Sequence, residues 1–379
     1  MTAPPIDLAR LARNALAAGE FWRADSAARL LAATPARAAE AAPIRAEVAD
    51  LLGLTDWRDR DAPPDLGKFL LIPAFGAGFW ADGAYVLGAL LLAAVTGRTP
   101  IVHWGAASRF RGPELGQGDA FGQFFEPIAP VSLQELAAIE DRWPSDWPLD
   151  PPPASVASKS GCDPLTTLAR RETLVIAACY APLADIADWI PWSHPLRDLT
   201  VGELARSLLT DHFRARPAIR VAADAVIAQQ FGGAPFVSAH VRGTDKNEEV
   251  ANNDRLMDSY LIWADRMLQR PETRLFLATD DTRCADVFTA RYGARVAMTQ
   301  AVRRADGLGV HAAPGDAGRQ LGEELLIDCL VAAEGGHFVG NGTSGPSCAI
   351  ALMRRRPPAS CVLFGDSLWL RDDMALLMR

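Results

Sequence analysis

Short apolar runs alternate with helical stretches through most of this 379-residue chain. In the first half, KFLLIPA and TPIVHW have the composition of strands, and AYVLGALLLAAVTG between them has that of a helix. Strands that alternate with helices are typical of parallel sheets covered by helices on both faces. We therefore predict an α/β fold, and the length predicts more than one domain.

The same alternation resumes after residue 246 and is cleaner there. Helical stretches separate four apolar runs in this half: RLFLATDD, ARVAMT, HFVGNGTSGPSC and CVLFG. This pattern predicts a doubly wound parallel sheet. We expect three parts: a helical extension over residues 1–60, a first Rossmann-like domain over 61–215, and a second one over 216–379.

The extension is rich in alanine, with Leu and Phe at helical spacing and a break at Pro35. It resembles one unit of a tetratricopeptide array, whereas a stable solenoid needs three or more units. We expect a helical cap or a homodimer contact rather than a peptide-binding superhelix. The Asp-x-Asp pair at Asp59 and Asp61 lies in a hydrophilic linker, which favours a solvated turn over a metal site.

Composition limits the partners of the chain. The formal net charge of −8 leaves no general basic field for nucleic acid. The six cysteines show no disulfide or zinc spacing, and no secretory signal begins the chain, so we expect a cytoplasmic protein. The most apolar stretch, residues 84–95, is short for a bilayer span and predicts a buried helix without a transmembrane segment.

The run FVSAHVRGTDK, residues 236–246, is an apolar strand that ends in four polar side chains: His240, Arg242, Asp245 and Lys246. Open α/β sheets bind ligands beyond the carboxyl ends of their strands. Arginine offers a planar fork of donors and lysine a mobile charge, which together suit a diphosphate. The alternative is an ordinary solvated strand end.

Two further strands end in polar residues that the fold would bring to the same crevice. Asp280 and Asp281 could accept hydrogen bonds from a ribose or a base, or orient a cation, although Asp281 could instead cap the next helix. In GNGTSGP, the amides of Thr343 and Ser344 would lie at a helix N-terminus, which favours an anion. A simple N-cap at Ser344 is the alternative.

Asp328 differs because its helical neighbours are apolar, so an ionised carboxylate there needs a partner. A base donor or His240 would serve. In the first half, Gly76 and Gly78 permit a sharp turn at the end of the first strand. The spacing makes neither a dinucleotide fingerprint nor a phosphate loop, which disfavours a Rossmann enzyme that uses NAD or S-adenosylmethionine.

Taken in order, HVRGTDK, LFLATDD, ELLIDCLVAAEGGHFVGNGTSG and the earlier PAFGAGFWADGAYVLGALLLAAVTGRTPIVHW resemble GDP-fucose-dependent fucosyltransferases of the α1,6 and nodulation type. Protein O-fucosyltransferases are relatives of these enzymes. The resemblance runs from about residue 68 to residue 364, except for the middle of the chain. Two positions depart from the α1,6 pattern: Gly243 replaces a second basic residue, and Val250 stands where an acidic residue is expected, with Glu249 beside it.

The resemblance implies a GT-B arrangement, in which two Rossmann-like domains face one another and the second holds the donor. It implies an inverting transferase without a metal or other cofactor. Arg242 would hold the β-phosphate, His240 and Asp328 would contact the guanosine, and Thr343 and Ser344 would meet the phosphates. The turn at Gly76 and Gly78 would close over the donor.

The chemistry suggests further roles near the first packet. Lys246 would share the growing phosphate charge with Arg242, and Glu248 or Glu249 could act as a base, unless both simply belong to a solvated loop. The acceptor would be a glycan or a peptide. A catalytically inactive nucleotide-binding protein that works through its N-terminal helices, or a transferase for another nucleotide-sugar, remains an alternative.

Overall fold

The computed structural model describes residues 7–61, 67–115, 118–150, 163–177, 179–243, 256–306, 309 and 317–373. Within these residues the chain forms two parallel sheets with helices around them. This confirms the α/β prediction.

Three helices precede the first sheet: α1 (Leu8–Ala17), α2 (Phe21–Ala32) and α3 (Ala38–Leu51). Pro35 begins a short 3₁₀ turn between the last two. Buried carboxylates hold the helices against the α/β part of the same chain. Asp185 accepts a hydrogen bond of 2.6 Å from Trp22 Nε1, and Asp25 accepts one of 3.1 Å from Trp189 Nε1. The three helices therefore lie as a cap on the first α/β unit, while a homodimer through them stays a prediction.

The first α/β unit contains a four-stranded sheet in the order β2-β1-β4-β3, with every pairing parallel. Its elements in chain order are β1 (Phe69–Pro73), α4 (Phe79–Thr96), β2 (Thr99–His103), α5 (Phe121–Phe124), α6 (Leu133–Ala137), β3 (Arg142–Trp143), α7 (Pro164–Ala169), β4 (Leu174–Ile176) and α8 (Leu183–Ala187).

Helix α4 is the central helix of this unit. It extends beyond the apolar stretch 84–95 and, by length and composition alone, it is the one helix of the described residues that is long and apolar enough to cross a membrane. However, 72% of it is buried inside the protein. A side chain at Gly88 would overlap the carbonyl oxygen of Ala181, so this glycine lets the helix pack directly on the backbone. The prediction of a buried helix is therefore confirmed.

Two long helices, α9 (Val201–His212) and α10 (Pro217–Phe231), connect the two sheets. The first begins with a capping box in which the side chains of Thr200 and Glu203 each accept a hydrogen bond from the other's backbone amide. Pro217 is tolerated because it stands in the first turn of α10, where its missing N–H costs nothing.

The second unit contains a five-stranded sheet in the order β7-β6-β5-β8-β9, again with every pairing parallel. Its elements are β5 (Phe236–Val241), α11 (Leu256–Met267), β6 (Arg274–Thr279), α12 (Thr282–Tyr292), β7 (Val296–Ala297), α13 (Gly318–Glu334), β8 (Phe338–Asn341), α14 (Gly345–Met353) and β9 (Cys361–Phe364). The strand order reverses between β5 and β8, and such a switch point opens a crevice at the carboxyl ends of the strands.

The two units meet along three glycines, which we call the glycine seam: Gly318, Gly322 and Gly345. A methyl group on Gly322 would lie 2.5 Å from Phe124 Cζ, and one on Gly345 would lie 3.0 Å from Trp80 Cβ. A methyl group on Gly318 would lie 2.5 Å from the carbonyl oxygen of Arg109. At Gly318 and Gly322, α13 therefore touches the first unit at a distance that leaves no room for a side chain, and the contact at Gly345 is tight.

Candidate functional site

A cleft of about 410 Å³ lies between the two units and brings most of the predicted site residues together. The predicted residues that line it are Gly78, His240, Arg242, Asp280, Asp328, Thr343 and Ser344. The second unit contributes all of these except Gly78. The cleft therefore joins the carboxyl ends of β5, β6 and β8, as the strand alternation predicted.

Arg242 and Asp280 form an ion pair at the floor of the cleft. Strands β5 and β6 run in parallel with Val241 opposite Thr279, so the residues that follow them are neighbours. Arg242 Nη1 lies 2.9 Å from Asp280 Oδ2, and the amide of Gly243 donates to Asp280 Oδ1 at 3.3 Å. Asp280 thus orients the cation and the backbone of Gly243. The sequence allowed Asp280 either to contact a ribose or base or to orient a cation, and the ion pair with Arg242 corresponds to the second role.

His240 is the penultimate residue of β5. Its side chain lines the cleft and is nearly fully buried. Burial, together with the positive charge of Arg242, lowers the pKa of His240 to about 3, so the ring is neutral at physiological pH. Its Nδ1 lies 2.7 Å from the hydroxyl oxygen of Ser347, which also accepts a hydrogen bond of 3.1 Å from the amide of Asn341. Ser347 therefore holds the imidazole in place.

Asp328 lies on α13 and is held by a partner that the sequence did not suggest. Thr299 Oγ1 donates to Asp328 Oδ1 at 2.6 Å, so a hydroxyl from the loop after β7 is a partner of this carboxylate besides the base donor or His240 that the sequence suggested. Burial raises the pKa of Asp328 to about 6, and the Thr299 hydrogen bond and the charge of Arg303 reduce this rise. Asp328 is thus a carboxylate that titrates close to physiological pH.

Glu324 lies one helical turn before Asp328 and also lines the cleft. Its Oε2 accepts a hydrogen bond of 2.9 Å from the amide of Val302, so it fixes the loop that carries Thr299. Sequence reasoning missed both Glu324 and Thr299. The four-residue spacing between Glu324 and Asp328 was the available signal for the first, whereas nothing local marks the second.

The N-terminus of α14 faces the cleft, but its donors differ from those predicted. The amide of Thr343 donates to Asn341 Oδ1 at 2.9 Å and the amide of Ser344 donates to the Asn341 carbonyl at 3.0 Å, so both are already used. Ser344 Oγ is buried and has no hydrogen-bond partner within the described ranges. The hydroxyl of Ser344, rather than the two predicted amides, is therefore the group at this helix end that awaits a ligand.

The glycine turn after β1 is held by a buried carboxylate. Gly76 adopts a φ of 75° and its carbonyl accepts a hydrogen bond of 2.7 Å from Arg109 Nε. Asp82 Oδ1 accepts from the amides of Phe75 and Ala77 at 3.1 and 3.3 Å. Burial raises the pKa of Asp82 to about 7 despite these bonds. Gly78 lines the cleft and Gly76 supports the turn from behind, since it is not among the lining residues.

Asp281 serves the helix and not the cleft. It is the N-cap of α12, where its Oδ1 accepts from the amide of Arg283 at 2.8 Å, and it pairs with the Arg283 side chain at 2.6 Å. It does not line the cleft. The capping alternative therefore replaces the predicted nucleotide contact, because the Asp281 carboxylate is used by the first turn of α12.

Four predicted residues cannot be placed: Asp245, Lys246, Glu248 and Glu249 lie outside the described residues. Asp59 is exposed, as is Asp61, in agreement with a solvated turn. Within the described ranges, no group of three His, Cys, Asp or Glu side chains has an arrangement that could hold a metal ion.

No protein-family model and no curated protein matches the chain. Among solved structures, NodZ α1,6-fucosyltransferase soaked with GDP-fucose is similar at 17% identity and a TM-score of 0.47, over 76% of this chain and 92% of that one. NodZ from Bradyrhizobium gives 18% identity, a TM-score of 0.47 and the same coverage. POFUT1 in complex with GDP-fucose is similar at 12% identity and a TM-score of 0.47, over 80% of this chain and 99% of that one.

Proposed function

We propose that this protein is an inverting, metal-independent glycosyltransferase that moves fucose from GDP-fucose to a glycan or peptide acceptor. The observation that carries the proposal is the convergence of Arg242, His240, Asp328 and Ser344 in one cleft at a topological switch point. A cation, a neutral imidazole, a carboxylate and an unpartnered hydroxyl match the groups of a guanosine diphosphate.

The phosphate end of the donor fits Arg242 and the start of α14. Transfer breaks the bond between the anomeric carbon and the β-phosphate oxygen, and the electron pair stays on the phosphate. Asp280 holds the guanidinium of Arg242 in position at 2.9 Å before the negative charge on the β-phosphate grows. The hydroxyl of Ser344 is likewise in place to donate to it. The positive end of the helix dipole adds to the same effect. Preorganised positive charge is the contribution that a divalent cation makes in other transferases.

The base end fits Asp328. Guanine presents two adjacent N–H donors on one edge, and a single carboxylate can accept both. Thr299 holds Asp328 Oδ1 at 2.6 Å, which fixes the direction of the carboxylate. Adenine and uracil present a different order of donors and acceptors there, and a site with buried polar groups rejects a ligand that leaves them unpaired.

The acceptor hydroxyl must attack the sugar from the face opposite the phosphate and lose its proton. We propose that the segment after Arg242 supplies this base, with Glu249 as the candidate and Asp245 as a further catalytic residue, and that Lys246 adds its charge to the diphosphate site. These roles follow from the motif HVRGTDK and the inverting chemistry.

A nucleotide panel tests the proposal. Thermal unfolding would be followed with GDP, UDP, ADP, NAD and S-adenosylhomocysteine, and we expect GDP alone to raise the melting temperature by several degrees at a concentration of about 100 times its Kd. Release of GDP from GDP-fucose would then be measured with and without acceptors. Stabilisation by NAD or S-adenosylhomocysteine would contradict the proposal. GDP binding without turnover of any GDP-sugar would favour the inactive binding protein.

A further inference from the structure

The cleft wall that the first unit contributes is aromatic. Tyr85, on α4, and Tyr180, just after β4, line the cleft with their ring centroids 4.7 Å apart and their planes at 72°. Phe75, just after β1, stacks on Tyr85 at 4.0 Å and 12°. Strands β1 and β4 are neighbours at the point where the strand order of the first sheet reverses. The aromatic wall therefore occupies the ligand position of the first unit.

Both tyrosines are half-buried, and no residue of the described part of the chain hydrogen-bonds to either hydroxyl. Burial raises the pKa of Tyr85 and of Tyr180, so both phenols are neutral. Each ring thus offers an apolar surface with a hydroxyl at its end. Tyrosines at binding surfaces usually pair this hydroxyl with a ligand or water.

The charge of the cleft is divided between its walls. Among the described residues, the charged side chains that line it are Arg242, Asp280, Glu324 and Asp328, and all four belong to the second unit. The first unit lines it, within the same described ranges, with uncharged residues: Gly78, Phe79, Trp80, Ala81, Ala84, Tyr85, Phe110 and Tyr180. A ligand against this wall is therefore itself uncharged where it makes contact.

Part of the backbone next to the wall is already paired within the protein. The amides of Phe75 and Ala77 donate to Asp82, and the carbonyl of Gly76 accepts from Arg109. A bound peptide strand takes most of its affinity from main-chain hydrogen bonds. A pyranose ring needs none, because it presents a face of C–H groups bordered by hydroxyls.

We infer that Tyr85 and Tyr180 form the acceptor subsite and that the acceptor group bound there is an uncharged saccharide ring. The inference rests on the proposed function and narrows its acceptor from a glycan or peptide to a glycan. The sugar ring packs against the tyrosine rings, and its hydroxyls form hydrogen bonds with the tyrosine hydroxyls. The donor lies against the opposite wall, so the two substrates contact different units of the protein.

Binding measurements on the full chain test this subsite. The probes are chitobiose, cellobiose, lactose and an uncharged threonine-containing hexapeptide, each added to the GDP-saturated protein and followed by ligand-observed NMR. Tyr180→Leu removes the ring, Tyr180→Phe removes only the hydroxyl, and Tyr292→Leu is the matched control outside the cleft. We expect at least one disaccharide to bind, and Tyr180→Leu to weaken it on the order of tenfold.

Tyr180→Phe should weaken that disaccharide by about threefold or less, and the control not at all, while the affinity for GDP stays within about twofold in every variant. Binding of the peptide but of no disaccharide would overturn the inference. So would an equal loss of GDP and disaccharide in Tyr180→Leu, or no loss of either. Failure of the wild-type protein to bind GDP would instead refute the proposed function, so the two failures are distinguishable.

Discussion

The two α/β units have the same kind of parallel sheet, but polar residues follow the strands of one and aromatic residues follow the strands of the other. In both sheets the strand order reverses next to the first strand of the unit, between β1 and β4 in one and between β5 and β8 in the other. At the second switch point the chain places Arg242 and Ser344, and at the first it places Phe75 and Tyr180. The same topological position has thus become a polar site in one unit and an aromatic one in the other.

The difference teaches that the fold supplies a position and the residues after each strand supply the chemistry. It also separates two kinds of buried carboxylate. Asp280, in the second unit, holds a cation that faces the cleft, whereas Asp82, in the first, holds only backbone amides behind the cleft. Three substitutions test this division, and we describe them in order of decreasing expected effect.

Arg242→Ala should remove the cation of the second switch point. We expect kcat to fall by roughly a thousandfold or more and GDP affinity to fall by roughly 10- to 100-fold, as expected for charge-assisted bonds of about 1.5–3 kcal/mol. The measurement is GDP-fucose turnover together with calorimetric GDP binding. The control is Arg291→Ala, which breaks an exposed ion pair between Arg291 on α12 and Asp265 on α11.

Because Arg242→Ala leaves the carboxylate of Asp280 without this partner, the double variant Arg242→Ala with Asp280→Asn separates folding from function. We expect it to fold like the wild type by circular dichroism and to remain inactive. Unchanged activity in either variant would refute the assignment of the phosphate site.

Asp328→Asn should reduce the preference for GDP over UDP and ADP by roughly 10- to 100-fold, because the amide offers a donor where guanine also donates. The pH profile gives a second measure. The pKa of Asp328 is about 6 in the free protein, and guanine donors favour the carboxylate, so wild-type GDP affinity should fall as the pH drops below 6. Asp328→Asn should lack this decline. An equal loss for every nucleotide would indicate a folding role.

Asp82→Asn should change stability with pH and leave GDP binding nearly intact. Burial raises the folded-state pKa of Asp82 from 3.8 to about 7, so ionisation opposes folding and the wild type gains stability from this group as the pH falls from 7 towards 4. The full difference is at most about 4 kcal/mol. Asparagine keeps the acceptor for Phe75 and Ala77 but does not ionise.

Urea unfolding of both proteins at pH 5 and pH 8 measures the effect, and the other buried carboxylates cancel in the comparison. We expect the stability difference between the two pH values to be smaller in Asp82→Asn than in the wild type. An equal difference in both proteins would show that Asp82 does not titrate between these values. A large loss of GDP affinity would contradict the division of roles between the two units.

Sequence reasoning predicted most of the architecture because hydrophobic periodicity is local, but it missed β3 and the short helices in the middle of the chain, where no periodicity is readable. Strand and helix alternation predicted both parallel sheets, and the position of Arg242 after an apolar run placed it at a strand end. Asp328 could be singled out because an acidic residue on an apolar helical face is itself a local anomaly.

The partners of these residues could not be predicted because they depend on packing between distant segments. Thr299 and Ser347 reach Asp328 and His240 from loops and helices 29 and 107 residues away. The amides of Thr343 and Ser344 could not be excluded as phosphate donors, since the turn in which Asn341 accepts both is visible only in three dimensions. Asp281 was equally suited to a ligand or a cap until its direction was known.

At the glycine seam a hydrogen atom stands where other residues carry a side chain, and this allows the two units to approach closely beside the cleft. Gly318 and Gly322 do not line the cleft, yet both bring α13 into direct contact with the first unit. A methyl group on either glycine would overlap Arg109 or Phe124, so the two units would have to separate or repack at this contact. The distance between the two walls of the cleft is therefore tied to residues that do not line it.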